Sequence, residues 1–292
     1  MKVLSGAELV DFIKERQEHQ VRGLRQARHI TPKLLILRDN DGPVISRYVG
    51  LKKRYGEEIG VEVIDQVLQG PACKGNPCKK RLHGLQGLPL QTPLQQEITR
   101  ANTDDSVHGI IVQLPLQGLP LQSQDEVLQS IASEKDVDGL AGGRFLSATA
   151  EAIDWLLAGY NIELVGKQIA IVGQGKLVGA PLTKLWQSHG YKVRGFDIND
   201  ADILASELPN YDVVVSATGQ PGLLKSSMIK DGAVVVDAGT ASENGVIQGD
   251  ASDELRARRG LTITPKIGGV GPLTVAVLFD HVIQAASAAV KK

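Results

Sequence analysis

The sequence predicts a two-domain α/β protein whose second half is a doubly wound parallel sheet. Three observations carry this. At 292 residues the chain exceeds the usual span of one domain. From Lys167 onward, short apolar stretches of strand length alternate with helical stretches, the pattern of a parallel sheet covered by helices. The first of those strands runs straight into a glycine-rich turn, Gly173 to Gly179, and then a helix. Apolar residues make up 42% of the chain and charged residues 22%, enough for sizeable cores. The net charge of −1 gives no electrostatic ground for a nucleic-acid or anionic-membrane partner.

Element by element, Leu9 to Ala27 has charged, broken helical spacing and reads as a surface helix. Lys33 to Leu37 is an apolar run of strand length, turned by residues 39–43. Ser46 to Ile59 reads as a helix stopped by Gly60, and Val61 to Leu68 as a second strand. Pro93 to Asn102 is a helix, His108 to Gln113 a buried strand, and Gln124 to Ser133 and Thr149 to Gly159 are helices. The later strands are Gln168 to Val172, Lys192 to Phe196, Asp212 to Ser216, Ala233 to Val236 and Leu261 to Thr264, with a helix at Ala180 to Ser188. A last helix runs from about Pro272 to Val290, proline fitting its first turn. The domain expectation is 1–145 with 273–292 packing back on it, and 146–272 between.

Residues 70–93, rich in Gly, Pro, Gln and Lys, read as a long loop. Cys73 and Cys78 are too few for a disulfide framework. With His83 they fall short of the usual four ligands of a structural zinc site, so no metal is expected. Leu85 to Gln91 and Leu116 to Gln122 share the string LQGLPLQ, and one copied heptad does not make a repeat architecture. The N-terminus is charged and helical in pattern, unlike a signal peptide, and no apolar run approaches the roughly 20 residues that span a bilayer. The expectation is a cytoplasmic protein.

The turn Gly173-Gln174-Gly175-Lys176-Leu177-Val178-Gly179 is G-x-G-x-x-x-G, one residue longer than the dinucleotide fingerprint, in the strand–turn–helix setting that fingerprint needs. Glycines let a pyrophosphate approach the backbone, and the helix N-terminus holds the anion. Asp197 follows the second strand, where an acidic residue accepts hydrogen bonds from ribose hydroxyls and repels a ribose phosphate. That favours NAD over NADP; the plain alternative is a turn or N-cap aspartate. Ala217-Thr218-Gly219 and Gly239 follow later strands and read as cofactor walls.

Four segments outside this turn carry a resemblance: Tyr48-Val49-Gly50-Leu51-Lys52, Val112-Gln113-Leu114-Pro115-Leu116, Lys135-Asp136-Val137-Asp138-Gly139 and Gly268-Gly269-Val270-Gly271-Pro272-Leu273-Thr274. In this order, and in register with the glycine turn, they resemble the bifunctional methylenetetrahydrofolate dehydrogenase/methenyltetrahydrofolate cyclohydrolase family over nearly the whole chain. The resemblance implies an N-terminal folate-binding catalytic domain, a Rossmann-type NAD(P)-binding domain and a homodimer. It implies tetrahydrofolate derivatives as ligands, with no nucleic-acid or membrane partner. It implies that Lys52 is the catalytic lysine, that Tyr48 stacks on the folate, that Gln113 hydrogen-bonds near Lys52 and that Asp138 binds the pterin. Gly269, Pro272 and Thr274 would line the substrate cleft, and Gly173, Gln174, Gly175, Lys176 and Val178 would hold the cofactor.

The chemistry suits these residue types. A partly buried lysine becomes usable as a base near neutral pH, and a flat aromatic orients a substrate at low entropic cost. Taken singly, Lys52 would be a surface lysine, Tyr48 its helical neighbour, Gln113 a strand-end cap and Asp138 a turn former. The sequence departs from the family where an arginine usual in the glycine turn is Gln174, and where the stretch after the second strand is Asp197-Ile198. It departs again at Ser147-Ala148-Thr149-Ala150 and at Ile267, which lacks the proline usual before the paired glycines. These changes concern the cofactor side and the cleft rims. The competing readings are a cyclohydrolase without the redox half, a Rossmann dehydrogenase for another small molecule, and a non-enzymatic scaffold.

Overall fold

The computed structural model describes residues 2–68, 92–117, 121–239, 241–243 and 246–289. The cysteine-containing loop expectation, and the first LQGLPLQ string, lie outside the described residues. In chain order the elements begin β1 (Lys2–Val3), α1 (Gly6–Arg28), β2 (Lys33–Arg38), α2 (Pro43–Ile59), β3 (Glu62–Val67), α3 (Pro93–Thr103), β4 (Gly109–Val112), α4 (Leu121–Gln129) and α5 (Ala148–Gly159). They continue β5 (Gln168–Val172), α6 (Gly179–Ser188), β6 (Lys192–Phe196), α7 (Ala201–Glu207), β7 (Val213–Ser216) and β8 (Val234–Asp237). The chain ends with β9 (Ala241–Glu243), β10 (Val246–Gln248), α8 (Asp253–Ala257), β11 (Thr262–Ile263) and α9 (Val270–Ala289).

Residues 20–145 and 281–292 form one compact unit, and residues 1–19 and 146–280 the other. These borders differ from those read in the sequence. β1 hydrogen-bonds in parallel to β11, Lys2 N donating to Leu261 O at 3.1 Å and Leu4 N to Ile263 O at 3.0 Å, so the N-terminus belongs with the second half of the chain. The long helices α1 and α9 are each divided between the units.

The unit around residues 20–145 is built on a three-stranded parallel sheet ordered β3-β2-β4. Its central strand is the continuous apolar run of the sequence, buried from Leu34 to Arg38, as a strand covered on both faces must be. α2 begins at Pro43 rather than Ser46, with proline in its first turn, and ends where Gly60 adopts a left-handed φ of 82°. α3 opens with a capping box between Thr92 and Gln95. Leu94 and Ile98 of α3, Val127 and Leu128 of α4, and Ile131 close over Leu35, Leu37, Ile110 and Val112.

The other unit holds a six-stranded parallel sheet ordered β1-β11-β8-β7-β5-β6. The chain runs from β5 outward to β6, then crosses back to place β7 on the other side of β5. The carboxyl ends of β5 and β7 therefore flank the point where strand order reverses, the place where open α/β sheets take ligands. Strand register lines up Phe196, Val172, Ser216 and Asp237 in one row across the sheet. The turn and loop residues singled out in the sequence follow directly beyond that row.

Two features correct the sequence reading. The β9–β10 hairpin was not anticipated. α9 is long and apolar enough to cross a membrane by composition, although no such stretch was expected; 67% of that window is buried within the protein, as in a core helix.

Candidate active site

In the first unit, three elements bring the family-matched side chains together. α2 follows β2 and carries Tyr48 and Lys52 one turn apart. Gln113 stands immediately past β4, its backbone N donating to Leu37 O at 2.8 Å. The 135–138 segment runs beside β4, pairing Asp136 with Ile110, and delivers Asp138. Lys52 Nζ donates to Gln113 Oε1 at 2.9 Å. Gln113 is itself held, its Nε2 donating to Leu114 O at 3.2 Å, which leaves Oε1 as the acceptor facing the amine.

Burial shapes the electrostatics. Desolvation pulls the Lys52 ammonium below the ordinary lysine range, and nearby Asp138 pushes it partly back up. Desolvation raises the Asp138 carboxyl, while Lys52 and His281 oppose that rise. The neighbouring Asp136 is raised by burial too, against backbone N–H donors from Ala141 and Leu140.

The roles of two residues in this region were not read from the sequence. Lys135 Nζ donates to Ala101 O at 2.8 Å and Asp104 O at 2.7 Å, tying the C-terminal end of α3 to the segment that carries Asp138. His281 is buried, stacks on Phe145 at a centroid distance of 4.5 Å, and places Nδ1 2.8 Å from Val137 O. A carbonyl can only accept, so Nδ1 carries the proton. Neither role has a local sequence signal, because each partner lies far along the chain.

Arg38, at the end of β2, braces the entry to α2. Its Nε and Nη2 donate to the two Asp65 oxygens at 2.8 and 3.0 Å, and Nη1 pairs with Asp41 and reaches Ser46 Oγ at 3.3 Å.

In the second unit the glycine turn closes on itself. A Cβ on Gly179 would stand 1.7 Å from Gly173 O, and one on Gly173, whose φ is 91°, 2.7 Å from Ala217 O. Those two glycines are required by the fold. A Cβ built on Gly175 would meet nothing within 4 Å, and no side chain caps α6, whose N-cap is Val178. An open glycine backbone beside an uncapped helix N-terminus fits the pyrophosphate of a dinucleotide. Lys176 lies on the same turn, exposed. Ser147 caps α5 and donates from Oγ to Leu177 O, anchoring the turn from below.

Gln174 turns inward: its Nε2 donates to Ile171 O and its Oε1 accepts from Thr183 Oγ1, both at 3.0 Å, so its side chain serves the fold. Asp197 takes the capping role left open in the sequence. Its Oδ1 accepts from Asn199 N at 2.8 Å, and its own N–H donates to Asp200 at 2.9 Å, around the 3₁₀ turn Ile198–Asp200. The nearby Arg194 is engaged with Glu207 at 3.0 Å and lies over the Phe196 ring. Thr218 N and Gly239 N are both hydrogen-bonded to aspartates, and Gly219 has a φ of 66°. Gly269 packs under Gly6, Thr274 Oγ1 donates to Val270 O at 3.3 Å, and Pro272 sits in the first turn of α9; all three belong to this second unit.

A glycine turn at the switch point of a parallel sheet, and a lysine–amide–carboxyl cluster in a separate α/β unit, define a two-unit dinucleotide-binding enzyme fold. The sequence model of the tetrahydrofolate dehydrogenase/cyclohydrolase catalytic domain matches residues 4–138, and that of the NAD(P)-binding domain of the same family matches residues 147–290. The chain is 34% identical to the bifunctional protein FolD of Staphylococcus aureus strain Newman, over 97% of this chain and 96% of the relative. The crystal structure of FolD from Campylobacter jejuni matches at 32% identity with a TM-score of 0.84, covering 99% of both chains. FolD of Trypanosoma brucei, solved with NADP and an inhibitor, matches at 26% identity with a TM-score of 0.86, over 99% and 98% of the two chains. This chain belongs to the tetrahydrofolate dehydrogenase/cyclohydrolase family.

Proposed function

We propose that this chain oxidises methylenetetrahydrofolate to methenyltetrahydrofolate with a nicotinamide cofactor, and hydrolyses the methenyl compound to formyltetrahydrofolate. The observation that carries the reading is the Lys52–Gln113 hydrogen bond of 2.9 Å beside Asp138. In the hydrolytic step, water adds to the cationic methenyl carbon and must lose a proton before the ring C–N bond opens. Lys52 takes that proton. Burial lowers the cost of its neutral form, and Gln113 Oε1 holds the amine by one N–H so that its lone pair has a fixed direction. Asp138 opposes complete neutralisation and offers a carboxyl to the paired donors of a pterin edge. Tyr48, one turn before Lys52, supplies a flat face for the folate. When bound, the dinucleotide supplies the acceptor for hydride leaving the methylene carbon.

Within the nicotinamide class, the reading favours NAD. Asp197 follows β6, exposed, with one carboxyl oxygen in the cap and the other directed to no hydrogen-bond donor among the described residues. The adjacent cation, Arg194, is paired with Glu207, so no guanidinium at this position is committed to a ribose phosphate.

The test is spectrophotometric. Purified protein, methylenetetrahydrofolate and either NAD or NADP should give reduction mainly with NAD. Methenyltetrahydrofolate should be hydrolysed, and Lys52→Ala should slow that hydrolysis about 10²- to 10⁴-fold, the range for a lost general base. Preference for NADP would overturn the Asp197 argument alone. Hydrolysis with no dinucleotide reduction would identify a cyclohydrolase lacking the redox half. Inertness toward both folates would remove the reading.

A further inference from the structure

We propose that Asp250 is a positioning residue for the nicotinamide cofactor: it clips the loops after β7 and β8 into one wall beside the sheet's switch point. The proposal rests on the dinucleotide reading above.

Asp250 is fully buried and reaches both loops at once. Its Oδ2 accepts from Ser216 Oγ at 2.6 Å and from Thr218 N at 2.7 Å, fixing the end of β7 and the first turn beyond it. Its own N–H donates to Asp237 Oδ1 at 3.1 Å, at the end of β8. Asp237 Oδ1 also accepts from Gly239 N at 2.9 Å, and its Oδ2 from Ala251 N at 2.9 Å. Arg256 pairs with Asp237 and donates from Nη1 to Thr264 O at 2.7 Å, which ties in the residue after β11. Ser216 and Asp237 are register partners, so the network locks the last row of the sheet and the residues just past it.

The other oxygen of Asp250 shows what this costs. Oδ1 is buried without a hydrogen-bond partner among the described residues, and a Cβ built on Gly239 would stand 2.0 Å from it. Gly239 is thus required by the Asp250 carboxyl, not by turn geometry. Burying a β7–β8 pair needs no such group, since an unpartnered buried carboxyl oxygen is unfavourable. What the network does secure is the spacing between Thr218 and Gly239, the loop residues expected to flank the cofactor. Burial raises the Asp237 carboxyl, and the Ala251 N–H and Arg256 pull it down, so the second carboxyl of the network is held by fixed donors too.

The experiment uses the full chain. The Kd for NAD and NADP is measured by calorimetry, alongside dehydrogenase kcat and KM and the rate of methenyltetrahydrofolate hydrolysis. Asp250→Ala should weaken dinucleotide binding and raise its KM about tenfold or more, with hydrolysis within about twofold of the parent. Asp250→Asn keeps an oxygen for Ser216 and Thr218 and should recover affinity to within about threefold. Should Asp250→Ala fail to fold, Ser216→Ala decides, with an expected loss of about threefold in dinucleotide affinity. Unchanged Kd in a folded Asp250→Ala or Ser216→Ala protein overturns the proposal. So does a parallel loss of both activities that Asp250→Asn does not rescue, which marks a purely structural residue. Absence of dinucleotide binding in the parent overturns the underlying reading and the proposal with it.

Discussion

Lys52 illustrates how burial shifts a common residue toward its neutral form. Removal from water disfavours the ammonium, and the single acceptor given to it among the described residues, Gln113 Oε1, is neutral, so the hydrogen bond does not restore the charge. Asp138 alone pushes the other way. The sign of two experiments follows. A step that needs neutral lysine rises with pH through the Lys52 pKa, so the rising limb of hydrolysis kcat should lie below the ordinary lysine value of about 10.4. Asp138→Asn removes the group that raises the Lys52 pKa, so it should shift that limb to lower pH while raising the folate KM. A limb that stays in place would show that Lys52 is not the group titrating in kcat. At this scale the motif residues were legible only as a set. Lys52, Tyr48, Gln113 and Asp138 each have an ordinary alternative role, and their order along the chain, matched to one family, is what favours the catalytic reading proposed above.

The secondary-structure elements explain which parts of the site could be read and which could not. Strands β2, β4, β5, β7 and β8 are short continuous apolar runs, and the glycine turn announces itself by residue type, so the sheets and the switch-point turn were visible locally. β1 was not, because a two-residue strand exists only through its pairing with β11 at the far end of the chain. The Asp250–Asp237–Arg256 network was invisible for the same reason: the bonds from Asp250 to Ser216 and Asp237, and from Arg256 to Asp237, join residues 13 to 34 positions apart, and an aspartate after a glycine looks like any turn. Lys135 is the clearest case. The family resemblance drew attention to its segment, yet the side chain's work is to cap the carbonyl end of α3 and hold the 135–138 segment in place. Lys135→Met keeps the apolar stem and removes two charge-assisted hydrogen bonds, so stability should fall by about 1.5–3 kcal/mol in urea unfolding. Because Asp138 rides on the same segment, the folate KM should rise as well. A stability loss with unchanged KM would mean that the segment keeps its shape without the clamp.

The molecule as a whole is not two consecutive domains. Residues 281–292 complete the unit that residues 20–145 begin, and residues 1–19 belong to the other, so the chain passes between units three times. A cut at the border read from the sequence, after residue 145, therefore leaves the first unit without the second half of α9. Val282, Ile283 and Ala286 are buried there, Val282 packs against the backbone of Gly109, and His281 gives up its bond to Val137 O if α9 is absent. Each lost valine or isoleucine burial costs about 1.5–3 kcal/mol, against a total stability of about 5–15 kcal/mol for a typical domain. Together with the lost histidine hydrogen bond, that removes most of the margin. The fragment 1–145 should show no cooperative thermal transition by circular dichroism, and a peptide of residues 270–289 added in trans should restore one. A cooperative melt of 1–145 alone would mean that the three-stranded sheet and its helices hold enough core without α9, and that the helix matters to the site and not to the fold.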